Sequence, residues 1–314
     1  MSPGQFLPRI AAGAVVLWLL AATMAVAGPR EDIRAADQKK NQGDYTSAMQ
    51  LYNRAIRSGA LDKIKLSGAL FKRGLVFGII GDTQAMLEDL AKAVRLNPNN
   101  TYFRLGYGSA LYNAGQVEPA CRQYQAAAQL EPQNPLPLSA LGVVRWDQGQ
   151  YQRAEELLKK AAALKPTTAW EQDKLGNFYL SLGRFTKAEK AFTTALGLEM
   201  PSPELPLLLY LARAYQGTTR RDRLKKAAGR LKPGQWPTPL YRLFLNQITP
   251  AEFMRRLTGD HQASGRFFLA HYYLLRKQPQ AAIKLWQWLA ANAGPASLSR
   301  SAARAELRRR GLIE

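Results

Sequence analysis

Cysteine and histidine are nearly absent from the chain. Cys121 is the one thiol, and His261 and His271 are the only imidazoles. A single cysteine excludes an internal disulfide framework and a cysteine-based zinc site. Two histidines do not make a His-rich metal centre. Cys121 follows Ala120 in a helical stretch with no histidine nearby in sequence, which marks a structural thiol rather than a nucleophile; a redox role is the alternative reading. Acidic residues are also scarce: 23 Asp and Glu stand against 44 Lys and Arg, a formal net charge of +21 over 314 residues. The acidic pairs Glu31-Asp32 and Glu155-Glu156 are sequence neighbours, so their side chains leave a helix on different faces and are not poised for joint acid and base work. No catalytic constellation can be assembled from this inventory, so the chain reads as non-enzymatic, with no cofactor and no metal. What it does have is apolar residues, 46 % of the total, which is enough to fold and excludes a disordered tail protein.

One long apolar run occurs, Ile10 to Ala27, directly after Arg9. A positive charge, an apolar stretch and the small-x-small ending Ala25-Val26-Ala27 follow the grammar of an export signal cleaved after Ala27. Its 18 residues approach the ~20 that span a bilayer, so an uncleaved anchor is the competing reading. No cysteine lies near the cleavage region to take a lipid. The expected compartment is the bacterial periplasm.

Beyond residue 28 the sequence keeps a 34-residue clock. Gly74, Gly108, Gly142 and Gly176 fall on it, as do Gly81, Gly115, Gly149 and Gly183, and Ala93, Ala127, Ala161 and Ala195. Pro98, Pro132 and Pro166 follow the same step, with Pro201 one residue late. Within the unit 135–165, Leu138, Leu141, Gly142 and Trp146 recur at helical spacing. Gly149-Gln150 makes a turn, and Tyr151, Ala154, Leu158 and Ala161 line one face of a second helix. Pro166 then stops that helix. The units 67–100, 101–134 and 169–202 read the same way. This period and grammar resemble the tetratricopeptide (TPR) repeat, a helix-turn-helix unit. The resemblance implies an all-α superhelical solenoid of antiparallel helix pairs, closed by a C-terminal capping helix at about Ser299 to Arg310 that ends at Gly311.

The expected organisation is a signal peptide over 1–27 and a repeat array over 28–232, its last repeat degenerate. An irregular connector with a short helix follows over 233–262, then a final helix pair and capping helix over 263–314. In the connector, Thr249-Pro250-Ala251-Glu252 carries the signals of an N-cap, a first helical residue and a reciprocal capping partner. Trp236-Pro237, Leu240-Tyr241, Ile248 to Glu252 and Phe267 to Tyr273 together resemble the layout of NlpI-type bacterial TPR proteins. That likeness implies an envelope adaptor for periplasmic hydrolases and proteases. The chain departs from it in lacking a lipobox cysteine and in being unusually basic.

A stacked array exposes a concave groove lined by the first helices of its pairs, suited to a peptide or partner helix. By helical phase, Tyr102, Tyr112, Asn113, Trp146, Asp147, Trp170, Asp173 and Asn177 are expected to face it. Packing between repeats is the alternative for any one of these aromatics. Asp173 sits where chaperone-binding TPRs place a lysine that clamps a terminal carboxylate, so a free acidic C-terminus is not the expected ligand. His271 is expected to pack or to touch the groove, and His261 has no evident task.

Charge is uneven, with a net +14 on residues 201–314. One dense basic patch is Arg220, Arg221, Arg223, Lys225, Lys226, Arg230 and Lys232. Arg300, Arg304 and Arg308 add a cationic stripe on the last helix. A solvated face is one reading; attraction to anionic lipid or envelope polymer is the other. Export and the lack of any recognition motif argue against nucleic acid. The sequence therefore predicts an exported scaffold or adaptor for a protein partner, monomeric or weakly self-associating, with an electrostatic tether through the C-terminal third as the alternative.

Overall fold

The computed structural model describes residues 28–164, 169–198, 202–259, 261–295 and 297–314. The apolar leader with its cleavage site, and the proline stops at Pro166 and Pro201, lie outside these residues. Seventeen helices and no strand occur among the described residues. No described helix is long and apolar enough to cross a membrane. The chain divides into two compact units, one ending at Pro98 and one beginning at Asn99.

The first unit holds α1 (Pro29–Asn41), α2 (Tyr45–Arg57), α3 (Lys63–Ile80) and α4 (Thr83–Leu96). α1 is largely polar, yet it is anchored. Asp32, almost fully buried, takes a two-pronged ion pair from Arg54, and Asp37 accepts from the Tyr52 hydroxyl at 2.6 Å and from Lys72 at 2.6 Å. Polar contacts thus substitute for an apolar stripe in holding this helix against Tyr52, Ala48 and Ala55 on α2. Asp44, Asp62 and Asp82 cap the next three helices by accepting from the backbone N–H three residues on, which satisfies donors that the helix start leaves orphaned.

The second unit begins with three regular pairs: α5 (Thr101–Asn113) with α6 (Val117–Leu130), α7 (Pro135–Asp147) with α8 (Tyr151–Leu164), and α9 (Ala169–Ser181) with α10 (Phe185–Leu196). The turn of the middle pair rests on Gly149, whose φ of +78° is open to glycine at little cost. Each pair crosses where the first helix has a glycine and the second, sixteen residues later, a large side chain. A Cβ on Gly142 would lie 2.8 Å from Leu158, and one on Gly176 would lie 2.4 Å from the Phe192 ring. The 34-residue clock is thus a packing rule, in which helices approach to within a side chain's thickness and the partner side chain fills the space.

After α10 the pattern loosens. α11 (Leu205–Ala214) is almost wholly buried, but α12 (Arg221–Ala228) has two turns and buries only Leu224. The short helices α13 (Thr238–Phe244) and α14 (Pro250–Arg255) follow. Thr249 and Glu252 form the reciprocal cap that their spacing predicts. His261, at the start of α15 (His261–Leu275), stacks on Trp236 with ring centres 4.4 Å apart. α15 then pairs with α16 (Pro279–Asn292), and α17 (Leu298–Arg309) ends the fold, with Gly311 at φ +68° just beyond its cap.

His271 sits fully buried between α11 and α16. Its Nδ1 lies 2.8 Å from the Tyr215 hydroxyl, and Phe267 and Trp286 meet its ring edge-on. Burial, then the charges of Arg310 and Arg309, push its pKa down to about 3. The native state therefore refuses a proton that the unfolded chain accepts below about pH 6.5. Stability should be intact above that pH and fall as pH drops from 6.5 toward 3. Urea unfolding of the wild type against His271→Gln should show an excess slope in the wild type of up to about 1.4 kcal/mol per pH unit in that window. Equal slopes would mean the imidazole is accessible. The glycine rule has a matching check. Gly176→Ala should destabilise by about 1–3 kcal/mol through overpacking against Phe192. Gly68→Ala in α3, where a Cβ meets nothing within 4 Å, should be neutral or gain up to about 1 kcal/mol.

Candidate functional site

The first-helix face of the second unit is formed by α5, α7, α9, α11 and α15, and α17 lies on it. Although the sequence suggests a helix that covers the end of a stack, α17 packs on α7, α9, α15 and α16. Small residues permit this: Ser301, Ala302, Ala303 and Ala305 are all fully buried or nearly so. Arg304 Nη1 donates to Asp147 Oδ2 at 2.8 Å, and Arg308 Nη1 donates to the Asp147 carbonyl at 2.8 Å. At the far end of α17, Arg310 lies over the Trp286 ring at 4.5 Å, and both Arg309 and Arg310 pair with the buried Glu306.

This seating changes the meaning of several residues read from sequence. Arg300, Arg304 and Arg308 do not form a solvated cationic stripe. Arg304 and Arg308 turn toward α7, where Asp147 needs countercharge, and all three are half-buried. Trp146 is interior and not a groove surface. It is fully buried and meets Phe178 of α9 edge-on, with centroids 5.6 Å apart, because the first helices of successive repeats need a large filler between them. Tyr112 and Asp147 are buried too. Burial, with the Asp147 charge nearby, raises the Tyr112 phenol above its usual range.

The remaining groove residues divide. Tyr102, 64 % exposed, and Asn113 lie on the surface of α5, outside both cavities described next. Trp170, Asp173 and Asn177 share one face of α9. Trp170 is 62 % exposed. Asn177 Nδ2 donates to Asp173 Oδ1 at 2.8 Å and to its carbonyl at 3.0 Å, fixing that carboxylate. The basic residues Arg220, Arg221, Arg223, Lys225, Lys226, Arg230 and Lys232 are exposed on and just beyond α12.

Two cavities open on this face, one on either side of Trp170 and Leu298. The first, of about 370 Å³, is mostly apolar, with Leu105, Tyr124, Leu136, Val143 and Val144 in its walls. Its one basic group, Lys174, is engaged by Ser139 at 2.8 Å and Glu171 at 3.1 Å. The second, of about 300 Å³, lies between α9, the start of α11, α15 and the start of α17. Asp173, Asn177 and Glu204 line it together with Phe267 and Phe268. Leu298, the wall common to both, comes from a helix that the repeat pattern does not cover. The Asp-Arg seating of that helix is a long-range contact, with no local sequence signal beyond the four-residue arginine spacing. Among the described residues no group of His, Cys, Asp and Glu is arranged to hold a metal ion. Cys121 is buried, and burial raises its thiol pKa.

The ion pair that seats α17 is testable. Arg304→Met keeps the aliphatic stem but strands the Asp147 carboxylate in a dry site. It should cost about 2–3 kcal/mol in urea unfolding, less than a fully buried pair because Arg304 is partly exposed. Adding Asp147→Leu should restore most of that loss. A single variant as stable as the wild type would mean the pair contributes nothing.

Family models of the tetratricopeptide repeat match residues 67–100, 138–169 and 173–199, and a TPR repeat model matches 108–149. Among solved structures, a tetratricopeptide repeat protein from Parabacteroides merdae superposes with a TM-score of 0.55 at 15 % identity, over 89 % of this chain and 98 % of that one. The C-terminal part of a TPR repeat-containing protein from Cytophaga hutchinsonii gives 0.50 at 18 % identity, over 83 % and 95 %. No curated protein matches the chain significantly. Such low identities speak for the fold alone, and TPR folds are typically non-enzymatic scaffolds for protein–protein interaction. Repeat models on the 34-residue period and helix pairs crossing at its glycines agree: the chain carries tetratricopeptide repeats and has an all-α TPR fold.

Proposed function

We propose that the chain is an exported, non-enzymatic TPR scaffold that holds a protein partner in the bacterial cell envelope, as a monomer or weak self-associate. The observation that carries this reading is Trp170. It is a large aromatic left mostly in solvent on the first-helix face, set between two open cavities, while Trp146 on the preceding first helix is fully buried. Exposed aromatics beside such cavities are common anchors for a partner. The export part is supported by the leader grammar of residues 9–27, and the adaptor part by the resemblance to NlpI-type proteins.

The first-helix face is tested by capture. The immobilised chain and its Trp170→Ala variant are each exposed to envelope extract of the producing bacterium, at low and then raised salt. The wild type should retain a discrete protein through the salt step, and the variant should lose most of it, on the order of tenfold for an anchor worth about 1.4 kcal/mol. Equal retention by the two would remove this face from the reading. N-terminal sequencing of the exported chain should begin at Gly28.

A second reading rests on α12 and the residues after it. Of the seven cations between Arg220 and Lys232, only Arg220 has an acidic partner among the described residues, Asp222 at 3.8 Å. Such a patch suits an anionic membrane or envelope polymer. Retention by this route should vanish in the same salt step, because exposed charges are screened over ~8–10 Å.

A further inference from the structure

Among the described residues, most buried and half-buried acidic side chains have a basic partner within 4 Å. Asp32, Asp37, Asp89, Asp147, Glu155, Glu171, Glu189 and Glu306 all do. Asp173 and Glu204 have none within 4 Å among the described residues. Their hydrogen bonds come from neutral donors: the Asn177 amide to Asp173, and the Trp236 indole N–H to Glu204 Oε1 at 2.6 Å. Both carboxylates line the same cavity of about 300 Å³. Burial, and then the Glu204 charge, push the Asp173 carboxyl up to about 7, although Lys174 opposes this. Two carboxyl groups therefore face one space with no ion-pair partner among the described residues, and Asp173 is held only partly ionised near neutral pH until a cation arrives.

The rest of the lining has the same bias. Asn177, nine-tenths buried, spends its N–H₂ on Asp173, and its amide oxygen has no partner among the described residues. The Ser264 hydroxyl is also unpartnered among the described residues. The two carboxylates and the Asn177 amide oxygen are acceptors, the Ser202, Ser264 and Ser299 hydroxyls serve either way, and among the described residues the lining holds no positively charged donor. Trp170, Phe267 and Phe268 supply aromatic wall. Carboxylates set among aromatic rings suit an organic cation, which gains charge-assisted hydrogen bonds and ring contact together. A small hydrated metal ion would instead want an all-oxygen shell.

The adjoining cavity identifies what carries the cation. It is apolar, about 370 Å³, and shares Trp170 and Leu298 as a wall. A ligand lying across Trp170 could place an apolar side chain in one cavity and a cationic one in the other. We infer that the cavity bounded by Asp173, Glu204 and Trp170 receives the Lys or Arg side chain of a peptide partner whose neighbouring apolar side chain fills the cavity across Trp170. This rests on the reading of the first-helix face as a partner-binding surface and names the ligand chemistry it selects. It is the reverse of a carboxylate clamp, and it runs against the net charge of the molecule, which favours acidic peptides.

Fluorescence polarisation with the full chain tests it. The probes are fluorescein-labelled peptides with one Leu and one Arg separated by one to six residues. Matched sets carry norleucine or Glu in place of Arg. At the best spacing the Arg peptide should bind on the order of tenfold more tightly than the norleucine peptide, with the Glu peptide weakest. In Asp173→Asn with Glu204→Gln, that Arg advantage should disappear while norleucine binding stays. Each single variant, isosteric and suited to the same fold, should lose part of it. Equal affinity for Arg and norleucine peptides, or an Arg advantage that survives both substitutions, would overturn the inference. If that Arg-indifferent binding is still abolished by Trp170→Ala, the partner-binding face stands and only the cation site falls. No peptide binding at any spacing up to millimolar concentration would overturn both.

Discussion

Asp147 lies on the last turn of α7 with its carboxylate taken out of water, and that placement governs the first-helix face of the second unit. A buried carboxylate is costly unless a cation meets it. Here the cation comes from 157 residues away, as Arg304 at 2.8 Å, and Arg308 adds a bond to the Asp147 carbonyl. The pair fixes where α17 lies along α7 and α9. Alanines on α17 then close the space behind it, and Leu298 at its start becomes the partition between the two cavities. An ionic contact of this kind adds little net stability over an apolar substitute. What it supplies is position, because an Ala-rich helix could otherwise settle at several registers on an apolar face.

The scaffold under that helix follows from one steric constraint repeated every 34 residues. A glycine on the first helix lets the second approach, and a large side chain sixteen residues on occupies the approach: Leu158 against Gly142 and Phe192 against Gly176. Since the second member alternates along the chain, Leu90, Tyr124, Leu158 and Phe192, the glycine is the invariant and its partner adapts. The aromatic stacking between repeats, Trp146 on Phe178, is the matching adjustment between successive first helices. Stability in such an array is a sum of pair and interface terms, so these local fits build the continuous buried cluster that runs from Trp146 to Leu307.

That locality decides what the sequence discloses. The pairs α3/α4 to α9/α10 are legible because each contact that defines them falls inside one period, and the Thr249-Glu252 cap is legible because it spans three residues. Two kinds of feature are not. Trp146 has the helical phase of a groove residue, but phase does not say whether the next first helix covers the side chain, and Phe178 does. Arg300, Arg304 and Arg308 have the spacing of a solvated stripe, and that spacing also presents one face to a buried acid. The sequence offers no local means of deciding between the two, since Asp147 lies in a different repeat. The cavities share this limit. Trp170, Asp173 and Asn177 are found by phase, whereas Glu204, Phe267 and Leu298 come from other helices and join them only through the tertiary fold.

The charge pattern then has to be read from what is unpaired rather than from composition. A net charge of +21 suggests a protein that seeks acidic partners. Yet Arg304, Arg308, Arg309 and Arg310 are engaged internally, and a dense group of exposed cations lies on and beyond α12, a small helix that buries one side chain. In the cavity beside Trp170, Asp173 and Glu204 have no ion-pair partner among the described residues and are held beside aromatic rings by neutral donors. Overall charge sets long-range attraction, which salt screens within about a nanometre. The selection made at contact depends on local unpaired groups in dry surroundings, where each interaction counts for more. A basic molecule can therefore draw in an acidic surface through one patch and still select a basic side chain at another, because the two operate at different distances.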